Sequence, residues 1–194
     1  MTAGLPGLRA DRVARMQSDP QADEDRHRAI MVDIIVQAGA WPEEAHLRPL
    51  AERSIAAARQ AASADGAPEC PAGSEVSLVF TDDAAMRELN RKWRDRDRPT
   101  NVLSFPQSPV MGGLIGDVVL GFETVQREAG LEGKRLDDHI AHLVVHGFLH
   151  LLGYDHVNEE DAEHMERLER EGLHRIGIAD PYAADAKTSA MADD

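Results

Sequence analysis

His146-Gly147-Phe148-Leu149-His150-Leu151-Leu152-Gly153-Tyr154-Asp155-His156 is the stretch on which the reading of this chain turns. His146 and His150 are four residues apart, so on a helix they share one face, a turn apart. Gly153 follows the second histidine by three residues, and glycine readily takes the left-handed conformation that ends a helix. The chain can double back there and swing His156 toward the same point in space. Three neutral imidazoles with an open fourth position make a catalytic zinc site rather than a closed structural one. Two histidines at helical spacing are ordinary on an amphipathic helix, but a third beyond a helix-ending glycine is not. The single cysteine, Cys70, is distant in sequence and offers no competing ligand. A lone cysteine also excludes an intramolecular disulfide framework and fits a reducing cytosol, so a cytoplasmic location is expected.

Working outward, Ile140, Leu143, Val144, Phe148, Leu151 and Leu152 give the segment Arg135 to Leu152 a broad apolar surface. This predicts a central, buried helix. After the turn, Asn158 caps a last helix whose inward stripe is Ala162, Met165, Leu168, Leu173 and Ile176, ending at Gly177. Upstream, Ala29 to Gln37, Ser74 to Thr81, Asn101 to Phe105 and Leu114 to Leu120 read as strands from their β-branched content. Helices are expected from Pro42 to about Ala62, from Asp82 through Met86, Leu89 and Trp93, and from Thr124 to Ala129. The order β-α-β-α-β-β-α-α-α gives an α/β (α+β) domain with a small mixed four-stranded sheet. Its last two strands are close enough to pair antiparallel, and the earlier ones are free to pair parallel.

At 194 residues, 42% hydrophobic and only 4% aromatic, the chain supports one aliphatic core. Residues 1–26 are polar and aperiodic and read as a disordered extension, residues 27–182 as the folded domain, and residues 183–194 as a disordered acidic tail. No run of about 18 apolar residues exists, so no membrane span is expected, and the start lacks a secretory h-region. The net charge of −14 argues against a general nucleic-acid coat protein. The charge is uneven: Asp155 to Asp194 carries twelve acidic and four basic residues, whereas Arg87 to Arg98 sets six cations against three anions. Most of those arginines read as a solvated helix end. Arg94, beside Trp93, is the one chosen to grip a phosphate, because a planar guanidinium can do so bidentately.

The spacing H-x3-H-x2-G-x2-H equals that of a long metalloprotease zinc signature. There the residue after the first histidine is the glutamate that serves as general base; here it is Gly147. The ligand geometry can be shared while the reaction differs, and a phosphodiester fits, since it brings its own anionic oxygens to the metal. Zinc lowers the pKa of its water to about 7.

These segments together resemble the bacterial YbeY family of endoribonucleases and rRNA maturation factors. The likeness rests on W-R-D-R-D-R-P-T-N-V-L-S-F-P at 93–106, I-G-D-V at 115–118, the histidine block at 146–156, and the Asp180-Pro181-Tyr182 ending. It spans about residues 29 to 183. One departure is Trp93, where many relatives carry Tyr. The resemblance implies a zincin-like helix in a small α/β domain and a zinc-dependent, single-strand endoribonuclease. Its metal-activated water would attack a phosphodiester in 16S rRNA 3′-end maturation and ribosome quality control. It implies one Zn2+ per chain on His146, His150 and His156, Arg94 as the functional arginine, and single-stranded RNA, the small ribosomal subunit and its assembly factors as partners.

Around this centre, Asp155 is expected to support a histidine ligand rather than accept a proton during catalysis, and His142 to support a ligand or line the cleft rather than be a fourth ligand. Tyr154 either packs under the turn or touches substrate. His139 and His164 read as surface residues. Asp117 is expected to bond to backbone or to a loop, and Ser104 has no base to make it a nucleophile. Two rival functions stand beside the nuclease: a non-catalytic ribosome-assembly factor with a structural zinc, and a zinc hydrolase of another substrate such as a peptide or nucleotide.

Overall fold

The computed structural model describes residues 30–107 and 113–183; the expectations for residues 1–26 and for the tail from 184 onward lie outside the described residues. The four strands are β1 (Met31–Val36), β2 (Glu75–Thr81), β3 (Val102–Pro106) and β4 (Leu114–Gly121). The helices among the described residues are α1 (Glu44–Ala64), α2 (Asp83–Arg94), α3 (Phe122–Leu131), α4 (Leu136–Leu151) and α5 (Glu159–Arg175). The strands form one mixed sheet in the order β1-β2-β4-β3. β1 and β4 both run parallel to β2, and β3 alone runs antiparallel, pairing Ser104 with Val118 and Val102 with Leu120. The mixed pairing and the element order are those expected from the sequence.

Side chains on a strand alternate between faces, and here the alternation sorts two cores. Val76, Leu78, Phe80, Val118 and Leu120 point into the main core, where α1, α4 and α5 pack on one another and α4 packs on β3 and β4. Leu103 and Val119 point to the opposite face and meet Met86 of α2. Phe148, Ile140 and Val144 of α4 are essentially inaccessible. Each contributes about 1.5–3 kcal/mol by leaving water. That fixes α4, and with it the histidine face, against the sheet.

Most boundaries shift by a residue or two from expectation, and three of the shifts are informative. The third strand extends through Pro106, which pairs with Gly116 because β3 is an edge strand and its outer side needs no N–H. α1 continues two residues past Ala62. α3 begins at Phe122, not Thr124, because Asp83 at the start of α2 accepts from the Thr124 N–H (3.1 Å) and hydroxyl (2.8 Å). Glu123 in turn accepts from the Asp83 N–H at 2.8 Å. Both local caps read from the sequence are present: Asp82 accepts from Ala85 N–H (2.8 Å) and Asn158 from Asp161 N–H (2.9 Å).

Candidate metal centre and cationic cleft

α4 carries His146 and His150 outward on one face, and Gly153 takes φ +95° immediately beyond the helix. A Cβ there would meet nothing within 4 Å, so the constraint at Gly153 is conformational rather than steric. The turn returns His156 beside the other two rings. One ring nitrogen from each histidine lies within 4.8 Å of the others, forming a group that could hold a metal ion.

Hydrogen bonding fixes which nitrogens face inward. The Nδ1–H of His146 donates to Glu169 Oε1 (2.7 Å), and that of His150 donates to the Tyr154 carbonyl (2.9 Å). In the neutral rings that bind a metal both Nε2 atoms are lone-pair acceptors, and they face each other at 3.1 Å. Two acceptors that close repel unless a cation sits between them. The separation suits two ligands each about 2.0–2.1 Å from one zinc. The donor set thus fits a metal ion on the structure's own geometry. Burial, reinforced by neighbouring His146, pushes His150 down to about 4, so its ring is neutral at physiological pH.

Glu169 lies outside the set of residues expected from the sequence. It occupies the inward stripe of α5 with Met165, Leu168, Gly172 and Leu173, and is 1% exposed. Burial alone would raise its carboxyl, but hydrogen bonds from His142 and His146 outweigh that and hold it down at about 2. A glutamate at a position where the helical period demands an apolar residue was the available signal.

The metal-facing side opens on a cleft of about 470 Å³. Its walls carry Arg94 from the last turn of α2, Arg96 and Arg98 from the loop after it, and Arg127 and Glu128 from α3. The loop is pinned from behind. Arg87 grips Asp97 through two bonds (2.7 and 2.8 Å), and Asn90 Nδ2 donates to the Arg98 carbonyl at 2.7 Å. Among the described residues, the guanidinium groups of Arg94, Arg96 and Arg98 make no hydrogen bond or ion pair. Arg87 and Arg91 are ion-paired at the surface, whereas Arg96 and Arg98 are exposed and line the cleft. Arg127 is brought in by the fold from outside the basic segment.

The remaining sequence candidates find definite places. His142 donates to Glu169 Oε2 (2.8 Å) and stays outside the triad. Asp155 accepts from the His156 N–H at 2.8 Å and stands 4.0 Å from His150 Nδ1, so it braces the returning loop. The Tyr154 hydroxyl donates to Asp65 (3.1 Å), which ties the same loop to the end of α1. Asp117 accepts from Gln107 at 3.4 Å, and Ser104 Oγ donates to the Gly147 carbonyl at 3.1 Å. Cys70 lines a different hollow, beside Arg59. His139 is corrected from surface to interior: it is 4% exposed and bonds Glu128 at 3.1 Å, because α3 covers it. His164 is partly exposed and meets Asp65 at 2.8 Å.

The structure is a single-domain α/β protein in which three imidazoles that could hold a metal ion converge beside unpaired guanidiniums on a small mixed sheet. The chain belongs to the YbeY family, whose model, described as Endoribonuclease YbeY, matches residues 42–177. A relative of that name from Chelativorans sp. (strain BNC1) is 52% identical over 160 residues, covering 80% of this chain and 94% of the relative. Another, from Allorhizobium ampelinum, is 47% identical over 157 residues, covering 78% and 94%. Among solved structures, the solution structure of TM1509 from Thermotoga maritima is similar at a TM-score of 0.48 and 24% identity, over 75% of this chain and 91% of that one. No helix of the described residues is long and apolar enough to cross a membrane.

Proposed function

We propose that the protein is a zinc-dependent endoribonuclease that cleaves single-stranded RNA in 16S rRNA 3′-end maturation and ribosome quality control. In this reading residues 27–182 form the hydrolase domain, and residues 1–26 and 183–194 are extensions to it. The enzyme works in the cytoplasm on the small ribosomal subunit, whose assembly factors deliver RNA to an otherwise acidic protein. The observation that carries the reading is that the three imidazoles and the free arginines line one cleft.

His146, His150 and His156 hold one Zn2+. When bound, zinc supplies Lewis acidity to a phosphoryl oxygen and a water of lowered pKa. The chain's own residues do the rest. Glu169 and the Tyr154 carbonyl fix the tautomers of His146 and His150, and Asp155 steadies the backbone at His156. Arg94 meets the negative charge that grows on the phosphoryl oxygens during hydrolysis, a role that depends on its guanidinium being unpaired beforehand. Arg96, Arg98 and Arg127 grip flanking phosphates. The peptidase alternative lacks room for its base, since the sheet occupies the space a side chain at 147 would need.

Purified, zinc-replete protein is expected to cut single-stranded RNA internally. Full cleavage by His150→Ala protein shown to contain no zinc would remove the mechanism.

A further inference from the structure

The Asp180-Pro181-Tyr182 ending has no part in the reaction described above, yet the fold carries it back to the metal centre. Pro181 is buried, and its carbonyl accepts from Lys134 Nζ at 2.8 Å. Asp180 lies 3.5 Å from Arg170 Nε, and the Arg170 guanidinium sits over the Tyr182 ring at 5.0 Å. So anchored, the Tyr182 hydroxyl donates to Glu169 Oε2 in a short hydrogen bond and stands 3.4 Å from His142 Nε2. The other oxygen of the same carboxylate receives the His146 Nδ1–H.

We propose that Tyr182 is a positioning residue for the metal centre, acting through Glu169 to hold the His146 ring with Nε2 turned to the triad. This rests on the zinc reading above. The geometry requires such a device. A carboxylate that is 1% exposed has no water to fix its rotation, so the rotation is set by its donors. Tyr182 and His142 both bind Oε2, which leaves Oε1 as the free end pointing at His146. Removing the Tyr182 proton leaves Oε2 with one donor and lets the carboxylate pivot. A ligand imidazole oriented by a carboxylate binds metal more tightly because the ring's direction and basicity are both set in advance. The rival account is that Tyr182 only fastens the end of the chain to α5, in which case its hydroxyl is irrelevant to metal.

The test uses the full chain and zinc itself. Tyr182→Phe keeps the ring over Arg170 and removes only the hydroxyl; Glu169→Gln removes the charge that orients the imidazole. Zinc affinity is measured by competition with a chromophoric chelator, and thermal midpoints are measured on zinc-free protein. The expected result is about tenfold weaker zinc binding for Tyr182→Phe and about 10- to 100-fold for Glu169→Gln. The double variant should be no weaker than Glu169→Gln alone, because the tyrosine acts through the glutamate. The zinc-free midpoint of Tyr182→Phe should fall somewhat, because a buried carboxylate loses a donor, so zinc affinity is the deciding readout. Unchanged zinc affinity in Tyr182→Phe, or a lowered zinc-free midpoint as its sole effect, overturns the proposal and leaves the zinc reading intact. Equal zinc binding by His150→Ala and unsubstituted protein overturns the zinc site, and the relay with it.

Discussion

Gly147 and Val118 are in such close contact that a Cβ on Gly147 would lie 2.5 Å from Val118 Cγ1. The missing side chain is what lets α4 settle on β4 with His146, its neighbour in sequence, facing the cleft. Gly147→Ala should therefore cost about 1–3 kcal/mol by overpacking, even though alanine favours helices. Chemical denaturation reads this directly, and equal or greater stability of the alanine variant would show that the sheet yields freely at this point.

The cross-cap between α2 and α3 is a separate source of stability. Asp83 satisfies the Thr124 N–H and hydroxyl, so Asp83→Ala strands both in a partly buried corner. A loss of about 1–2 kcal/mol in unfolding free energy is expected. Thr124 also lines the cleft and accepts from Arg127 at 3.0 Å, so RNA binding should weaken alongside the loss of stability.

Asp65 links α1 to α5 and to the histidine loop through Arg167 (2.7 Å), His164 (2.8 Å) and Tyr154 (3.1 Å). The bond from Arg167, foremost, holds its carboxyl below the ordinary 3.8. A carboxyl whose folded value is depressed adds stability above its unfolded value and loses it as pH falls through the folded one. Asp65→Asn should thus be less stable by about 1 kcal/mol at pH 7, a modest figure because Arg167 is half exposed. The gap should close below pH 3.8. Urea titrations at a series of pH values measure it, and a gap constant down to pH 3 contradicts the assignment.

Arg94, Arg96 and Arg98 differ from Arg87 in having no partner to leave. Replacing Arg96 or Arg98 with Ala should weaken single-stranded RNA binding across sequences and lower the salt slope by roughly 0.7 for each phosphate no longer neutralised. Arg94→Ala should lower the cleavage rate about 100- to 1,000-fold, since its charge is needed most in the transition state. Binding titrations at several salt concentrations, alongside single-turnover cleavage, separate the two roles.

Much of the fold and site is legible in the sequence, and for local reasons. The period of the apolar residues on α4, the glycine at 153 and the caps Asp82 and Asn158 are all statements about neighbours within a few residues. The parallel and antiparallel pairings follow from the lengths of the connections. What escapes is non-local. Asp83 caps a helix some forty residues away, so the start of α3 could not be read from the segment itself. His139 looks like a surface histidine until α3 folds over it. Arg127 is ordinary in sequence and enters the cleft only through the α3–sheet geometry. Glu169 is the instructive case: its position in the stripe between Leu168 and Leu173 marks it as a buried carboxylate in need of donors. Its partners, His142 and His146, lie on another helix.

The zinc mechanism stands or falls on where a divalent ion sits. Diffraction from zinc-loaded crystals, with data collected at the zinc absorption edge, should show one strong anomalous peak per chain bonded to His146 Nε2, His150 Nε2 and a nitrogen of His156. Its fourth position should be open toward Arg94. A peak coordinated by only two of these rings, or closed off by a fourth protein ligand, would contradict it.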